Sequence, residues 1–88
     1  MSYLVVLHPA ARKELDRLEG RDFQAVNAAI ASLSSNPRPF GVYKLKENTH
    51  RIRAGRWRVI YAVFDKDRKV VVLRVTRRNE QTYKFLDR

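Results

Sequence analysis

Residues 49–64 read THRIRAGRWRVIYAVF and predict two β-strands joined by a tight turn. In the first part, Arg51 and Arg53 alternate with Ile52 and Ala54, a period of two that places charged and apolar side chains on opposite faces of a strand. The second part is aromatic and β-branched on both faces, which is typical of a strand with neighbours on either side. We therefore expect the second strand to be central in its sheet.

The segment that follows predicts a third strand of the same sheet. Residues 65–68, DKDR, form a polar turn, and residues 69–76 are again rich in branched side chains. Because the connections between these strands are short, the strands are expected to pair as an antiparallel meander. Residues 79–86 are predicted to add a last short helix.

The residues before the meander predict one strand and two helices. Residues 3–8 are apolar and β-branched, which suits a strand buried on both faces. Residues 9–19 begin with a proline and carry apolar side chains at helical spacing, so they predict an amphipathic helix that Gly20 ends. Residues 22–33 repeat the spacing and predict a second helix, paired with the first. Two prolines and a glycine then make residues 36–41 an irregular loop.

This order of elements, β-α-α-β-β-β, predicts one α+β domain over residues 1–88. Both helices are expected to pack on one face of a small, mainly antiparallel sheet, with the other face left open. The 88 residues are 44% hydrophobic, and these side chains are spread along the chain. That is enough for one modest core and no more.

Positive charge is concentrated in the second part of the chain. The formal net charge is +10, and residues 1–37 are neutral, with four basic and four acidic side chains. Residues 38–88 carry 15 basic and five acidic side chains and therefore hold the whole excess. Such a surface attracts polyanions, so nucleic acid, an anionic membrane and an acidic protein are the candidate partners. A surface that serves only solubility is the alternative.

The composition excludes several kinds of site. There is no cysteine, so a disulfide framework and a thiolate zinc site are excluded, and the two histidines are too few for a metal cluster. We expect no cofactor. The chain also has no run of about 18 apolar residues and no signal-peptide pattern, so a cytoplasmic protein without a membrane partner is expected.

Arginines gather where the strands of a meander would lie side by side: Arg51, Arg53, Arg58, Arg77 and Arg78. Cleavage of RNA by its own 2′-hydroxyl needs a base for that hydroxyl, positive charge for the phosphorane and an acid for the leaving oxygen. Arginine suits the second task because its planar fork binds phosphate oxygens in pairs. It is a poor base, since it does not lose its proton in proteins.

Several motifs extend this pattern: Asn36-Pro37, Lys44-Leu45-Lys46, His50-Arg51-Ile52-Arg53, Gly55-Arg56-Trp57-Arg58-Val59-Ile60-Tyr61, Val75-Thr76-Arg77-Arg78 and Tyr83. In this order the chain resembles the RelE/ParE toxin superfamily over nearly its whole length. The resemblance implies a toxin of a toxin-antitoxin pair. It also implies a metal-independent endoribonuclease that cleaves messenger RNA in the decoding site of the ribosome and so inhibits translation.

The resemblance further implies a catalytic set, which by position is Arg51, Arg53, Arg58, Arg78 and Tyr83. Tyr83 would stack on a base or orient a phosphate, and the alternative is a partly buried aromatic residue that caps the core. The superfamily's best-studied pattern has lysines at the positions of Arg51 and Arg53, and a lysine with a lowered pKa can act as a base, so the base stays unassigned here. His50 could take the proton if its ring points into the site, whereas strand alternation can aim it at the helices instead.

Four more basic residues are expected to hold the RNA in position without taking part in the chemistry: Lys44, Lys46, Arg56 and Arg77. The implied partners are a cognate antitoxin, in a toxin-antitoxin hetero-oligomer, and the ribosome with its messenger RNA.

Two other functions stay open. The superfamily includes ParE-type toxins, which share the fold but poison DNA gyrase, and the full basic set favours the nuclease because those members generally lack it. The other alternative is a module that binds RNA or an antitoxin without catalysis, its cations only contacting phosphates.

Overall fold

The computed structural model describes residues 2–77, which form two helices and a five-stranded sheet. The helices are α1, Pro9–Asp16, and α2, Gly20–Ser32. The strands are β1, Leu4–Leu7; β2, Tyr43–Lys44; β3, Thr49–Ala54; β4, Trp57–Phe64; and β5, Lys69–Arg77. Neither helix of this described part is long and apolar enough to cross a membrane. The predicted last helix, residues 79–86, lies outside the described residues, as do Arg78 and Tyr83.

The strands lie in the order β1-β5-β4-β3-β2, which confirms that β4 is central. β3, β4 and β5 form the predicted antiparallel meander, and β1 runs parallel to β5. Both helices pack on one face of this sheet, so the predicted α+β fold is confirmed. β2 is an addition to the prediction, because a strand of two residues is too short for a period of two to reveal it.

β1 is an edge strand, and the expectation that it is buried on both faces is wrong. It pairs with β5 from Leu4 opposite Lys69 to Leu7 opposite Val72, and no described strand lies on its other side. Leu4 is 62% exposed as a result. An apolar run shows only that a strand is apolar, and its place in the sheet depends on where the two helices return the chain.

The boundary between the helices also differs from the prediction. α1 ends at Asp16, after which the amide of Arg17 donates to the carbonyl of Glu14 at 3.3 Å. Gly20 does not end this helix but begins α2, and its φ of +54° lies in the left-handed region that favours glycine. A glycine between two helical segments can serve either of them, and apolar spacing does not decide which.

The core lies between the helices and one face of the sheet. Its buried side chains include Ala11, Leu15, Val26, Ile30, Leu33, Val59, Tyr61 and Val63. Because side chains alternate along a strand, the residues between these on β4 point to the opposite face. We call that opposite face the arginine face, and strand pairing assembles it from Arg51, Arg53, Arg58, Ile60, Ala62 and Thr76. The expectation that this face is left open is wrong for its centre, since Ile60 is 0% and Ala62 is 5% exposed.

Candidate nucleic-acid interface

Two arginines stand directly opposite each other on the arginine face, close to the turn that joins β3 and β4. Arg53 on β3 pairs with Arg58 on β4. Arg53 is exposed, whereas Arg58 is only 9% exposed. Like charges opposite each other on neighbouring strands destabilise a sheet by roughly 0.2–1 kcal/mol. A bound anion such as phosphate would relieve this repulsion, and a guanidinium that has already lost much of its water would bind it strongly.

Arg51 lies on the same face, one strand period before Arg53, and carries an aromatic neighbour. Its guanidinium carbon stands 4.6 Å from the ring centroid of Tyr43, the residue that pairs with it across β2 and β3. Tyr43 remains 55% exposed. Sequence reasoning did not select this tyrosine, since the strand that aligns it with Arg51 has only two residues and carries no periodic signal.

β5 continues the arginine face beyond Arg58. Thr76 pairs with Arg58 and is 3% exposed. Within residues 2–77 its hydroxyl has no hydrogen-bond partner. A buried hydroxyl beside a cation is suited to donate to a phosphate oxygen.

Two of the residues expected to contact RNA lie on the helical side instead. The guanidinium of Arg77 stands 5.7 Å from the ring centroid of Trp57, in a groove of about 440 Å³ that acidic residues of both helices also line. Arg56 lies 3.6 Å from the carboxylate of Asp22 on α2. The structure therefore does not bring Arg56 and Arg77 together with Arg53 and Arg58.

The two lysines of the predicted set lie at the far edge of the sheet. Lys44 is the last residue of β2 and pairs with His50, so its side chain leaves the strand on the face opposite to Tyr43. Lys46 follows in the connection to β3, where its amide donates to the carbonyl of Thr49 at 3.2 Å. Both are exposed and neither belongs to the arginine face, since Lys44 shares the helical side with His50.

His50 points to the helical side, so it is not placed to act on a substrate bound to the arginine face. Its ring stacks on that of Tyr61 in the core, with centroids 5.7 Å apart and an interplanar angle of 23°. Nδ1 lies 3.1 Å from the carbonyl oxygen of Asn48, and the residue is 5% exposed. Burial lowers the pKa of His50 below its ordinary value, which favours the neutral ring. The general base stays unassigned.

The loop between α2 and β2 is fastened to the far end of β4. Arg38 donates to both carboxylate oxygens of Asp65, at 3.2 and 2.9 Å, and the hydroxyl of Tyr3 donates to the same group at 2.7 Å. These donors hold the pKa of Asp65 below its usual value. Tyr61 donates to the carbonyl of Pro37 at 2.7 Å, and burial raises its pKa to about 12. The loop contacts fix the point at which the chain enters β2.

Comparison with known proteins identifies the family. The model of the ParE toxin of type II toxin-antitoxin systems matches residues 5–82. A protein of Methanocaldococcus jannaschii named as toxin RelE1 is 32% identical over 96% of this chain and 98% of its own length. The chain therefore belongs to the ParE toxin family, within the RelE/ParE superfamily, and is a toxin of a toxin-antitoxin system.

Solved structures agree in fold. The RelE-RelB complex of Pyrococcus horikoshii superimposes with a TM-score of 0.81 at 30% identity, covering 91% of this chain and 99% of that one. The toxin-antitoxin complex RelBE2 of Mycobacterium tuberculosis gives 0.75 at 31% identity, covering 91% and 95%. Both relatives were solved together with their antitoxins.

Proposed function

We propose that this toxin is a ribosome-dependent endoribonuclease that cleaves messenger RNA in the decoding site and so inhibits translation. The observation that carries the proposal is the gathering of Arg51, Arg53 and Arg58 on the sheet face opposite the helices. Three guanidinium groups on one rigid surface suit a substrate with closely spaced phosphates. The likeness to proteins named RelE supports the same activity.

The chemistry assigned to this face is stabilisation of the charge that develops on the phosphorane. In-line attack of the 2′-hydroxyl makes a bond to phosphorus while the bond to the 5′-oxygen breaks, and negative charge grows on the non-bridging oxygens. Arg53 and Arg58 would bind those oxygens. Arg58 would bind a phosphate oxygen more strongly than Arg53, because it is only 9% exposed and water screens its charge less. The arginines supply positive charge, so we propose that the reaction needs no metal ion.

Arg78 and Tyr83, which lie outside the described residues, complete the proposed catalytic set with Arg51. Arg78 follows directly after the end of β5, whose residue Thr76 lies beside Arg58 on the arginine face. We assign it a phosphate contact in the transition state and Tyr83 a stacking contact with a base. Lys46 would hold the RNA backbone beside this face, and Lys44, Arg56 and Arg77 would meet only a ligand that reaches round to the helical side.

The proposed partners follow from the activity. The ribosome supplies the messenger RNA, which places the toxin in the cytoplasm, and an antitoxin must neutralise it in its own cell. The relatives solved as complexes with antitoxins support such a hetero-oligomer. An acidic or amphipathic segment of the antitoxin would fit the excess positive charge of residues 38–88.

Primer extension on ribosomes programmed with a defined messenger RNA tests the proposal. The expected result is a cut within the codon in the decoding site and no cut in the same RNA without ribosomes. Toxin that has been treated with EDTA and then added to ribosomes in magnesium buffer should cut as well as untreated toxin, because the activity requires no metal bound to the toxin. Absence of any cut by folded protein would contradict the nuclease assignment.

Gyrase inhibition is a second candidate, because the family model that matches is the one named for ParE. A supercoiling assay with purified DNA gyrase separates the two. Inhibition without cleavage of ribosome-bound messenger RNA would establish the gyrase function, whereas cleavage with normal supercoiling would exclude it.

A further inference from the structure

Tyr43 combines exposure with a fixed position, which is unusual for a large aromatic side chain. It is 55% exposed, yet its strand is hydrogen-bonded to β3, and the amide of Leu45 just after it donates to the carbonyl of Thr49 at 2.9 Å. The guanidinium of Arg51 lies over its ring at 4.6 Å. A cation over one side of an aromatic ring is attracted by the ring's negative face and so helps to hold the ring in place.

The position of this pair relates it to the phosphate-binding arginines. Arg51 and Arg53 are two residues apart on β3, so their backbone positions are separated by about 7 Å along the strand. That is about the step from one nucleotide to the next in an extended single strand. A strand whose phosphates contact Arg53 and Arg58 would therefore bring a neighbouring base towards β2 and its tyrosine.

We propose that Tyr43, held by Arg51, is a stacking platform for a base of the single-stranded RNA that lies on the arginine face. The inference rests on the proposed function, since it requires RNA on that face. Every base can stack on an aromatic side chain, and purines make the larger contact. The platform would therefore fix which nucleotide lies at Tyr43 without selecting a sequence. Tyr43 is thus a binding residue and takes no part in bond making or breaking.

The test uses short RNA oligonucleotides that carry the fluorescent base 2-aminopurine at one position each, because stacking on a protein ring quenches its emission. Wild-type protein should quench it most strongly at one position. Tyr43→Phe should preserve the quenching and the affinity, since the ring is retained. Tyr43→Leu should abolish the quenching and weaken binding about tenfold, the usual loss for one base stack.

Two control variants make the outcome specific. Phe40 is a fully exposed aromatic on the preceding loop, at 107% of its reference accessibility, so Phe40→Leu shows what the loss of any exposed ring does and should leave quenching unchanged. Arg53→Gln should weaken binding without moving the position of quenching. Thermal unfolding of each variant shows that the fold is intact.

The outcomes separate the platform from the nuclease proposal. Quenching that survives in Tyr43→Leu while Arg53→Gln weakens binding would overturn the platform and leave the arginine face as the RNA site. Binding that neither substitution changes would overturn the platform and the assignment of free RNA to the arginine face, whereas cleavage on programmed ribosomes decides the nuclease proposal. On programmed ribosomes, Tyr43→Leu should raise KM about tenfold with kcat nearly unchanged, and a fall in kcat alone would contradict a purely binding role.

Discussion

At the scale of single residues, the pair Arg53 and Arg58 lowers the stability of the sheet at the place where we propose that a phosphate binds. Two cations placed opposite each other in a sheet oppose folding, and a sequence selected for stability alone would place an opposite charge at one of them. In the proposed function, a phosphate bound at this pair would relieve the repulsion. Such a local conflict is expected at a functional site.

Arg53→Gln tests this directly. The free energy of unfolding should stay unchanged or rise by up to about 1 kcal/mol, because the repulsion is removed from an exposed position. Cleavage of ribosome-bound messenger RNA should fall by about one to two orders of magnitude. Urea unfolding and single-turnover cleavage measure the two quantities. If stability and cleavage fell together, Arg53 would be a structural residue.

His50 predicts a pH dependence of stability. Burial lowers its pKa in the folded protein below the ordinary value of 6.5, so the unfolded chain takes up the proton more readily. The contribution of His50 is therefore complete above pH 6.5 and is lost as the pH falls through the lowered pKa. The pKa of Asp65 is also lowered, but from 3.8, so its contribution is lost only in stronger acid.

Urea unfolding at pH 7.5, 6.5 and 5.5 measures this dependence. His50→Phe keeps an aromatic ring beside Tyr61 and should remove the part of the decline that belongs to His50. A decline of equal size in wild-type protein and in the variant would show that the proton is taken up elsewhere.

The residue scale also shows what the sequence could and could not predict about the site. Alternation along β3 correctly predicted that Arg51 and Arg53 share a face, because strand periodicity needs no tertiary information. That Arg58 joins them depends on the register of the strand pair, and Arg77, expected beside them, lies on the helical side. It left two orientations open for His50, and only packing against the core decides between them. Tyr43 could not be found, since its relation to Arg51 arises from strand pairing.

At the scale of elements, α1 is joined to β5 by one carboxylate. Glu14 accepts from the amide of Val75 at 2.7 Å and from two nitrogens of Arg74 at 2.9 and 2.6 Å. These contacts lie beyond Val72, where β1 has ended and can no longer pair with β5. They also follow a shift in register between β4 and β5 at Ile60. Beyond the end of β1, hydrogen bonds to Glu14 therefore hold the last part of β5 in place.

Glu14→Gln should destabilise the protein by about 1–2 kcal/mol, because it removes the charge that accepts hydrogen bonds from the guanidinium of Arg74 and from a backbone amide. The side chain of Arg74 is 40% exposed, and solvent screening therefore limits the loss. Asp16→Asn on the same helix is the matched control. Its contact with Arg12 is 3.8 Å long and more than 60% exposed on both sides, so the change should stay within about 0.5 kcal/mol. Equal effects in urea unfolding would show that Glu14 acts only through the charge of α1.

Elements differ in how far the sequence predicts them. The meander was predicted closely because period-two patterns and short polar turns are local signals. The predictions that β1 is buried on both faces and that Gly20 ends α1 were wrong, because both features depend on how the helices pack against the sheet. A residue pattern predicts whether a segment is a helix or a strand, whereas the tertiary fold decides which elements pack beside it.

At the scale of the whole molecule, the excess charge predicts how RNA affinity depends on salt. Removal of one cation that binds a phosphate should reduce the slope of log affinity against log salt concentration by about 0.7 for a single strand. Arg53→Gln should show this reduction. Arg12→Gln, at an exposed position of α1, should leave the slope unchanged, and equal changes in both would mean that the protein attracts RNA by net charge alone.

We propose that the arginine face, and not the charge of the molecule as a whole, cleaves messenger RNA on the ribosome. Two variants of equal net charge test it most directly: Arg53→Gln with Arg58→Gln, and Arg12→Gln with Lys13→Gln on the exposed side of α1. Primer extension on programmed ribosomes should show that only the first pair loses the cut, by about two orders of magnitude or more, although both proteins are folded. Equal cleavage by the two variants, or an equal loss in both, would contradict the claim.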